Sequence, residues 1–148
     1  MLTYDELNKQ NDNIIELSNA LTLLLGDRSM CDAQVTCDLF YDFVGKVQNH
    51  MNIVDTQMYS IILTKGDQNA KSTADRFMGG STEIKRIFAT YLRKWCKTKS
   101  KSLLIKEHDQ FEKDTQEMFE MVLNRIQDET EKLYPIVRQL TGDQQKVA

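Results

Sequence analysis

Proline and glycine are scarce in this chain, which has one proline and six glycines among 148 residues. No segment rich in valine, isoleucine and threonine alternates apolar and polar residues with a period of two. Since sandwiches and barrels need many short strands of that kind separated by turn residues, these absences argue against a fold built from strands. They favour long helices with few interruptions.

Residues that bind metals or form disulfides are also few. Cys31, Cys37 and Cys96 are odd in number and show no CxxC spacing, so we expect free thiols in a reducing compartment. A disulfide framework or a thiolate zinc site is excluded on the same ground. Only His50 and His108 supply imidazoles, and on one bundle they would lie far apart along the helices.

Charge and hydrophobicity limit the partners further. A net charge of -3 argues against a dedicated nucleic-acid binder, which needs a basic face to displace counterions. No run of 18 or more apolar residues is present, and no basic segment followed by an apolar one stands at the N-terminus. We therefore expect a cytoplasmic protein without a membrane partner. A hydrophobic content of 41% fits one domain over residues 1–141, with residues 142–148 as a flexible tail.

Apolar residues recur with steps of three and four in four long segments, which predicts four amphipathic helices, A to D. Helix A begins at a capping box formed by Thr3 and Glu6 and runs from about Tyr4 to Leu25. The residues expected to face the core are, in helix B, Val35, Leu39, Phe43, Val47, His50, Val54, Met58 and Ile61; in helix C, Ala74, Phe77, Ser81, Ile84, Phe88, Tyr91 and Trp95; and in helix D, Leu104, His108, Phe111, Thr115, Met118, Val122, Arg125, Glu129, Leu133 and Ile136. Four helices with short connections predict an all-α, antiparallel up-down four-helix bundle.

Two glycines lie inside predicted helix C. Gly79 and Gly80 together destabilise a helix by about 2 kcal/mol relative to alanine, so they need a structural reason. Either another group approaches the helix closely, or the helix breaks and Ser81 caps a new one. The sequence leaves both alternatives open.

An internal repeat links helices B and D at an offset of seventy-five residues. Val47 pairs with Val122, Met58 with Leu133 and Tyr59 with Tyr134, while His50 faces Arg125 and Val54 faces Glu129; Asn49 and Asn124 also match. A repeat of this length indicates two helical hairpins fused in one chain.

The repeat predicts a cluster of polar residues in the core: Asn11, His50, Ser81, Arg125 and Glu129. We interpret it as a structural network in which Glu129 accepts from His50 and from Arg125 four residues earlier. The alternative is a residual metal site, for which His50, Asp55 and Glu129 are the candidate ligands. Asp55 lies one position off the apolar stripe, and we expect it to face solvent rather than join the network. No metal, no cofactor and no catalytic residue is expected, because phosphate-loop, nucleophile-elbow and HExxH motifs are absent.

A basic segment connects helices C and D. Its cations are Arg93, Lys94, Lys97, Lys99, Lys101 and Lys106. It is either a solvated loop or a surface that docks an acidic partner. We expect the nearby Tyr91 and Trp95 to be packed in the core.

Three motifs together resemble the hemerythrin-like family, the HHE cation-binding domains of bacteria. Gln10-Asn11 is similar to the Gln-His of the family's first helix, and the segment from His50 to Tyr59 resembles its His-Leu-x-x-Glu-Asp-x-x-Leu-Tyr. The segment from Arg125 to Pro135 resembles the closing Glu-x-x-Leu-Tyr-Pro. The resemblance implies a hemerythrin-like bundle in which Asn11, Val54 and Arg125 replace iron ligands. It therefore implies a degenerate metal site.

The leading functional hypothesis is a non-catalytic regulatory or adaptor protein that binds another protein, as a monomer or a homodimer. The alternative is a metal-binding or oxygen- or iron-sensing protein that retains iron with a reduced ligand set. A histidine phosphotransfer domain is a third class, which the apolar neighbours of His50 disfavour.

Overall fold

Helices make up almost all of residues 3–142, the part of the chain that the computed structural model describes. They are α1 (Tyr4–Leu25), α2 (Gln34–Ile53), α3 (Tyr59–Lys65), α4 (Gln68–Trp95), α5 (His108–Asp128) and α6 (Tyr134–Thr141). The predicted all-helical class is confirmed. Of the predicted tail 142–148, only Gly142 lies within the described residues; it ends α6 in the left-handed conformation that glycine adopts without strain.

Two of the long helices contain a π-helical turn. Val54–Met58 joins α2 to α3, and Glu129–Leu133 joins α5 to α6. The backbone N–H of Tyr59 donates to the carbonyl of Val54, and that of Tyr134 donates to the carbonyl of Glu129, so each turn holds one extra residue. The two turns lie at equivalent positions of the sequence repeat. Residues 3–142 thus form four long helical segments: α1, α2 with α3, α4, and α5 with α6.

Local signals explain where two of these segments begin. Thr3 and Glu6 form the predicted capping box at the start of α1. The Asp67 side chain accepts from the backbone N–H of Ala70 at 2.8 Å and begins α4. Between α1 and α2 lies a short 3-10 turn, Arg28–Met30.

The basic connection between α4 and α5 contains two short strands, which the sequence did not predict. β1 (Cys96–Lys97) pairs antiparallel with β2 (Ser102–Leu103), with Cys96 opposite Leu103. Lys101 lies in the loop with a φ of 50°, a backbone conformation that residues with a Cβ rarely adopt. The segment is therefore a hairpin with a defined register.

The core has two apolar clusters separated by polar residues. α1 packs against α2 and α5, α4 packs against α5, and α3 packs against α4 and α6. One cluster is aromatic and holds Phe40, Phe43, Phe88, Trp95, Phe111 and Phe119; the other holds Leu7, Val54, Ile62, Phe77, Leu133 and Tyr134. Along every long segment, the predicted polar residues fall between members of the two clusters. We call Asn11, His50, Ser81, Arg125 and Glu129 the polar layer.

The π turns move the core face by one residue, and this corrects two predicted core positions. Ile62 and Val137 are buried, whereas the predicted Ile61 and Ile136 are only partly so. An extra residue per turn displaces every following side chain around the helix axis, which a regular 3.6-residue period does not anticipate. Two further predicted core positions are wrong. Val35 is 57% exposed near the start of α2, and Leu104 lies before α5 begins at His108, where its neighbour Leu103 is the buried residue.

Helix α4 runs without a break through Gly79 and Gly80. A Cβ at Gly80 would lie 2.9 Å from Nη1 of Arg125, whereas nothing lies within 4 Å of a Cβ at Gly79. Of the two alternatives that the sequence left open, close approach of another group is therefore the observed one at Gly80. No helix in residues 3–142 has the length and apolar character needed to cross a membrane.

Candidate functional site

The polar layer brings all four long helical segments together. Asn11, His50, Ser81 and Glu129 are buried, and the Arg125 side chain is 14% exposed. These are the five residues predicted as a polar cluster from the sequence. The structure places them between the two apolar clusters, where charges are shielded from water.

Glu129 is the centre of the layer. Its Oε1 lies 2.6 Å from Nε2 of His50, and its Oε2 accepts from Nε of Arg125 at 3.0 Å. Both carboxylate oxygens are therefore engaged by nitrogen groups from two different helices. A buried carboxylate needs such partners, because desolvation of an unpaired charge costs several kcal/mol. Glu129 begins the second π turn.

Arg125 joins Glu129 to the neighbouring helices. Its Nη2 donates to the Tyr59 hydroxyl and to the backbone carbonyl of Phe77, each at 2.7 Å. The guanidinium also lies over the Phe77 ring, 4.7 Å from its centroid. Gly80 leaves room for this guanidinium against α4. Gly80 of α4 and Arg125 of α5 therefore pack against each other.

Two tyrosines belong to the site and were missed as members of the predicted cluster. The hydroxyl of Tyr134 accepts from Nδ2 of Asn11 at 3.0 Å, and Tyr59 contacts Arg125. Burial raises the pKa of both phenols; Glu129 raises that of Tyr134 further, while the charge of Arg125 opposes the increase at Tyr59. Both side chains therefore stay neutral. Their equivalence in the repeat was a signal that pointed to a shared role.

Asp55 lies at the edge of the polar layer, so the expectation that it faces solvent is wrong. Its Oδ1 accepts from the Ser81 hydroxyl at 3.3 Å, its Oδ2 forms an ion pair with Lys85, and its side chain is 28% exposed. The partners of Asp55 are thus on α4 rather than at His50 or Glu129. The three residues named as candidate metal ligands are not brought together on one point.

The donor set does not fit a di-iron centre. Arg125 places a permanent cation 3.0 Å from Glu129, where it would repel a metal ion, and Val54 has no donor atom. Nδ1 of His50 and Oδ1 of Asn11 are the layer's two buried atoms without a hydrogen-bond partner in the described structure. One imidazole nitrogen and one amide oxygen do not replace the several imidazoles and carboxylates that two irons require.

The basic segment is only partly available to a partner. Nζ of Lys94 pairs with Asp114 at 3.0 Å and lies 4.8 Å from the centroid of the buried Trp95 ring. Nε1 of Trp95 donates to the same carboxylate. The pKa of Asp114 is lowered because these donors outweigh the effect of burial. Arg93, Lys97, Lys99, Lys101 and Lys106 are exposed.

Three ligand-type side chains, which sequence reasoning missed as a group, lie together at the start of α5. Metal-binding atoms of His108, Asp109 and Glu112 lie within 4.8 Å of one another. Nε2 of His108 contacts the carbonyl of Leu25 at 2.8 Å, which ties α5 to the end of α1. The positive end of the α5 dipole disfavours a cation here, and both carboxylates are exposed. We assign the contact of His108 to helix packing.

The cysteines are free thiols, as predicted from their number. Burial raises the pKa of all three, to about 11 at Cys96. They are therefore protonated and unreactive near neutral pH.

Comparisons with protein-family models, with curated proteins and with solved structures find no match for this chain. Its function is therefore inferred from its own residues and their geometry.

Proposed function

We propose that this chain is a non-catalytic regulatory or adaptor protein, built as an antiparallel up-down four-helix bundle of the hemerythrin-like kind. The pair of Arg125 and Glu129 in the polar layer carries the proposal. In such bundles, carboxylates and imidazoles of the core hold metal ions. Here the guanidinium neutralises the carboxylate, so the interior charge is balanced by the chain itself.

A core of this kind supports binding rather than chemistry. Both carboxylate oxygens of Glu129 are engaged, and the neighbouring Tyr59 and Tyr134 are neutral. These three groups are therefore not free to attack a substrate. The polar contacts instead fix the relative positions of the helices, because each is specific to one packing arrangement.

The partner we propose is another protein with an acidic surface. Lys97, Lys99 and Lys101 lie on the hairpin between α4 and α5, where they are exposed. A mildly acidic chain that concentrates cations on one hairpin attracts an acidic surface from a distance. We infer a cytoplasmic monomer or homodimer that does not bind nucleic acid or a membrane.

Elemental analysis of natively purified protein tests the absence of iron. We expect iron, zinc and manganese far below one equivalent per chain, because Arg125 occupies the place of a cation. Iron at one or two equivalents, with a charge-transfer band in the near ultraviolet, would refute the proposal. The Arg125→His variant, analysed in parallel, shows whether the method detects metal when the guanidinium is absent.

Partner binding has a separate test. Reversal of Lys97, Lys99 and Lys101 to glutamate should weaken capture of a partner once one is identified, and added salt should weaken capture by the unaltered chain. Reversal of Lys65, Lys113 and Lys132, which are exposed elsewhere, is the control with the same change in charge. Equal capture by both triple variants would mean that the hairpin does not dock the partner.

A metal- or oxygen-sensing protein is the second candidate function. One observation favours it: Nδ1 of His50 is buried and has no partner within the described structure. Iron held by His50 and Glu129 would have to displace the contact between them. The elemental analysis decides between the two candidates.

A further inference from the structure

A groove between α1 and α5 combines an apolar wall with two carboxylates, and no cationic side chain lines it. It has a volume of about 410 Å³ and runs past the π turn that follows α5. Its apolar wall consists of Ile15, Leu123 and Ile126. Ile15 is one of the large apolar side chains that this chain exposes. We call this region the α1–α5 groove.

Asn11 is a buried residue of this groove. It is 4% exposed, and its Nδ2 donates to the hydroxyl of Tyr134. Its Oδ1 accepts no hydrogen bond but is enclosed by the protein, so a ligand meets the exposed side chains of the groove instead.

The rim of the groove is acidic. Asp12 on α1 and Glu131 in the π turn both line it, and no lysine or arginine does. Glu131 accepts from Gln127, a neutral donor, so its charge is not compensated there. The groove therefore presents two carboxylates beside an apolar wall.

A second groove, between α4 and α5, differs in its charge. It also has a volume of about 410 Å³ and is lined by Lys94, Trp95, Asp114 and Glu117. Asp114 accepts from Lys94, Trp95 and Gln110, so a cation of the chain already pairs with a carboxylate there. No lysine or arginine lines the α1–α5 groove.

We propose that the α1–α5 groove docks a protein segment that presents an arginine or lysine side chain from an otherwise apolar face. The cationic group pairs with the exposed carboxylates of Asp12 and Glu131, while the apolar residues of the segment cover Ile15 and Leu123. This inference rests on the proposed adaptor function and names a second docking surface. Its charge is opposite to that of the lysine hairpin.

A pair of probe peptides tests the proposal. Each is a capped twelve-residue peptide of leucine, alanine and glutamine, with one central arginine in the first and the neutral isostere citrulline in the second. Titration into the isotopically labelled full chain is followed by nuclear magnetic resonance. We expect saturable shifts at α1 and α5 around Ile15 and Leu123, with the citrulline peptide about fivefold weaker, since each exposed ion pair contributes below about 1 kcal/mol.

Charge-neutralising variants locate the effect. Asp12→Asn with Glu131→Gln should weaken the arginine peptide about fivefold and leave the citrulline peptide unchanged. Glu16→Gln with Glu120→Gln is the matched control, because both residues are exposed on the same two helices outside the groove. The control should bind the arginine peptide as the unaltered chain does.

Four results would overturn the proposal. They are the absence of saturable binding, equal affinity for both peptides, an equal loss in the control variant, and shifts confined to other helices. Sedimentation of the chain alone adds a fifth: self-association abolished by Asp12→Asn with Glu131→Gln would assign the groove to a second copy. None of these results depends on iron content or on the lysine hairpin. The adaptor proposal is therefore tested separately, by elemental analysis and by the lysine variants.

Discussion

Replacement of Glu129 by leucine should destabilise the chain strongly. Arg125, with a side chain 14% exposed, would lose its carboxylate and keep only the neutral contacts to Tyr59 and Phe77. Loss of one partner of a buried ion pair costs about 3 to 5 kcal/mol. That is a large share of the roughly 5 to 15 kcal/mol by which most domains are stable.

Replacement of the other member of the ion pair, Arg125→Met, should destabilise the chain less. Glu129 would keep the contact with His50, so we expect a loss of about 2 to 3 kcal/mol, the contribution of a hydrogen bond to a charged group. The double variant Arg125→Met with Glu129→Leu leaves no lone charge. It leaves mainly the His50 imidazole without a hydrogen-bond partner. The free energy of unfolding should therefore fall by about 1 to 3 kcal/mol, well below the sum of the losses in the two single variants.

Urea denaturation followed by far-ultraviolet circular dichroism measures these losses. Glu131→Leu is the matched control, because this exposed carboxylate lies in the same π turn and bonds only to Gln127; its effect should stay within about 0.5 kcal/mol. If Glu129→Leu fails to fold, Glu129→Gln keeps the shape and gives a measurable loss. Additive losses below about 0.5 kcal/mol each would mean that the polar layer does not hold a buried ion pair.

Three further predictions concern single positions. Gly79→Ala should stabilise the chain by about 0.5 to 1 kcal/mol through helix propensity. Gly80→Ala should destabilise it, because the new Cβ would lie 2.9 Å from Nη1 of Arg125, whose guanidinium is held in place by Glu129, Tyr59 and Phe77. Parallel urea curves that show equal stabilisation would contradict the packing at Gly80. Burial raises the pKa of Cys96 from 9.0 to about 11, so the protonated thiol favours the folded state below pH 9, and this contribution to the free energy of unfolding is lost as pH rises toward 11. The alkylation rate of Cys96 should rise over the same pH range. A rate that levels off below pH 9 would contradict this. Lys101→Gly should raise the thermal midpoint, because the φ of 50° costs a residue with a Cβ about 1 to 2 kcal/mol; an unchanged or lower midpoint would mean that the loop carries no strain.

Periodicity predicts most inward-facing positions before the first π turn, with Val35 as an exception. The capping box at Thr3 and the stop before Gly26 place α1 correctly, because both are local signals. The pattern fails at Ile61 and Ile136, which were expected inside, while their neighbours Ile62 and Val137 are buried. The first π turn contains no residue type that marks the extra residue, whereas the second is followed by Pro135, which has no backbone N–H to donate.

The polar layer was predictable in membership but not in geometry. Inward positions at helical spacing single out His50, Arg125 and Glu129. Which atoms they share depends on the tertiary approach of α4, where Gly80 admits the guanidinium and the carbonyl of Phe77 accepts from it. The role of Asp55 was misjudged because its partners, Ser81 and Lys85, come from that helix.

The matched π turns also show what one chain can do that a symmetric pair of hairpins cannot. In a pair of identical hairpins, equivalent positions carry identical residues, so His50 and Arg125 could not differ, nor could Val54 and Glu129. Two unlike halves in one chain can place a cation and a carboxylate at these levels, so the interior charge is balanced within a single polypeptide.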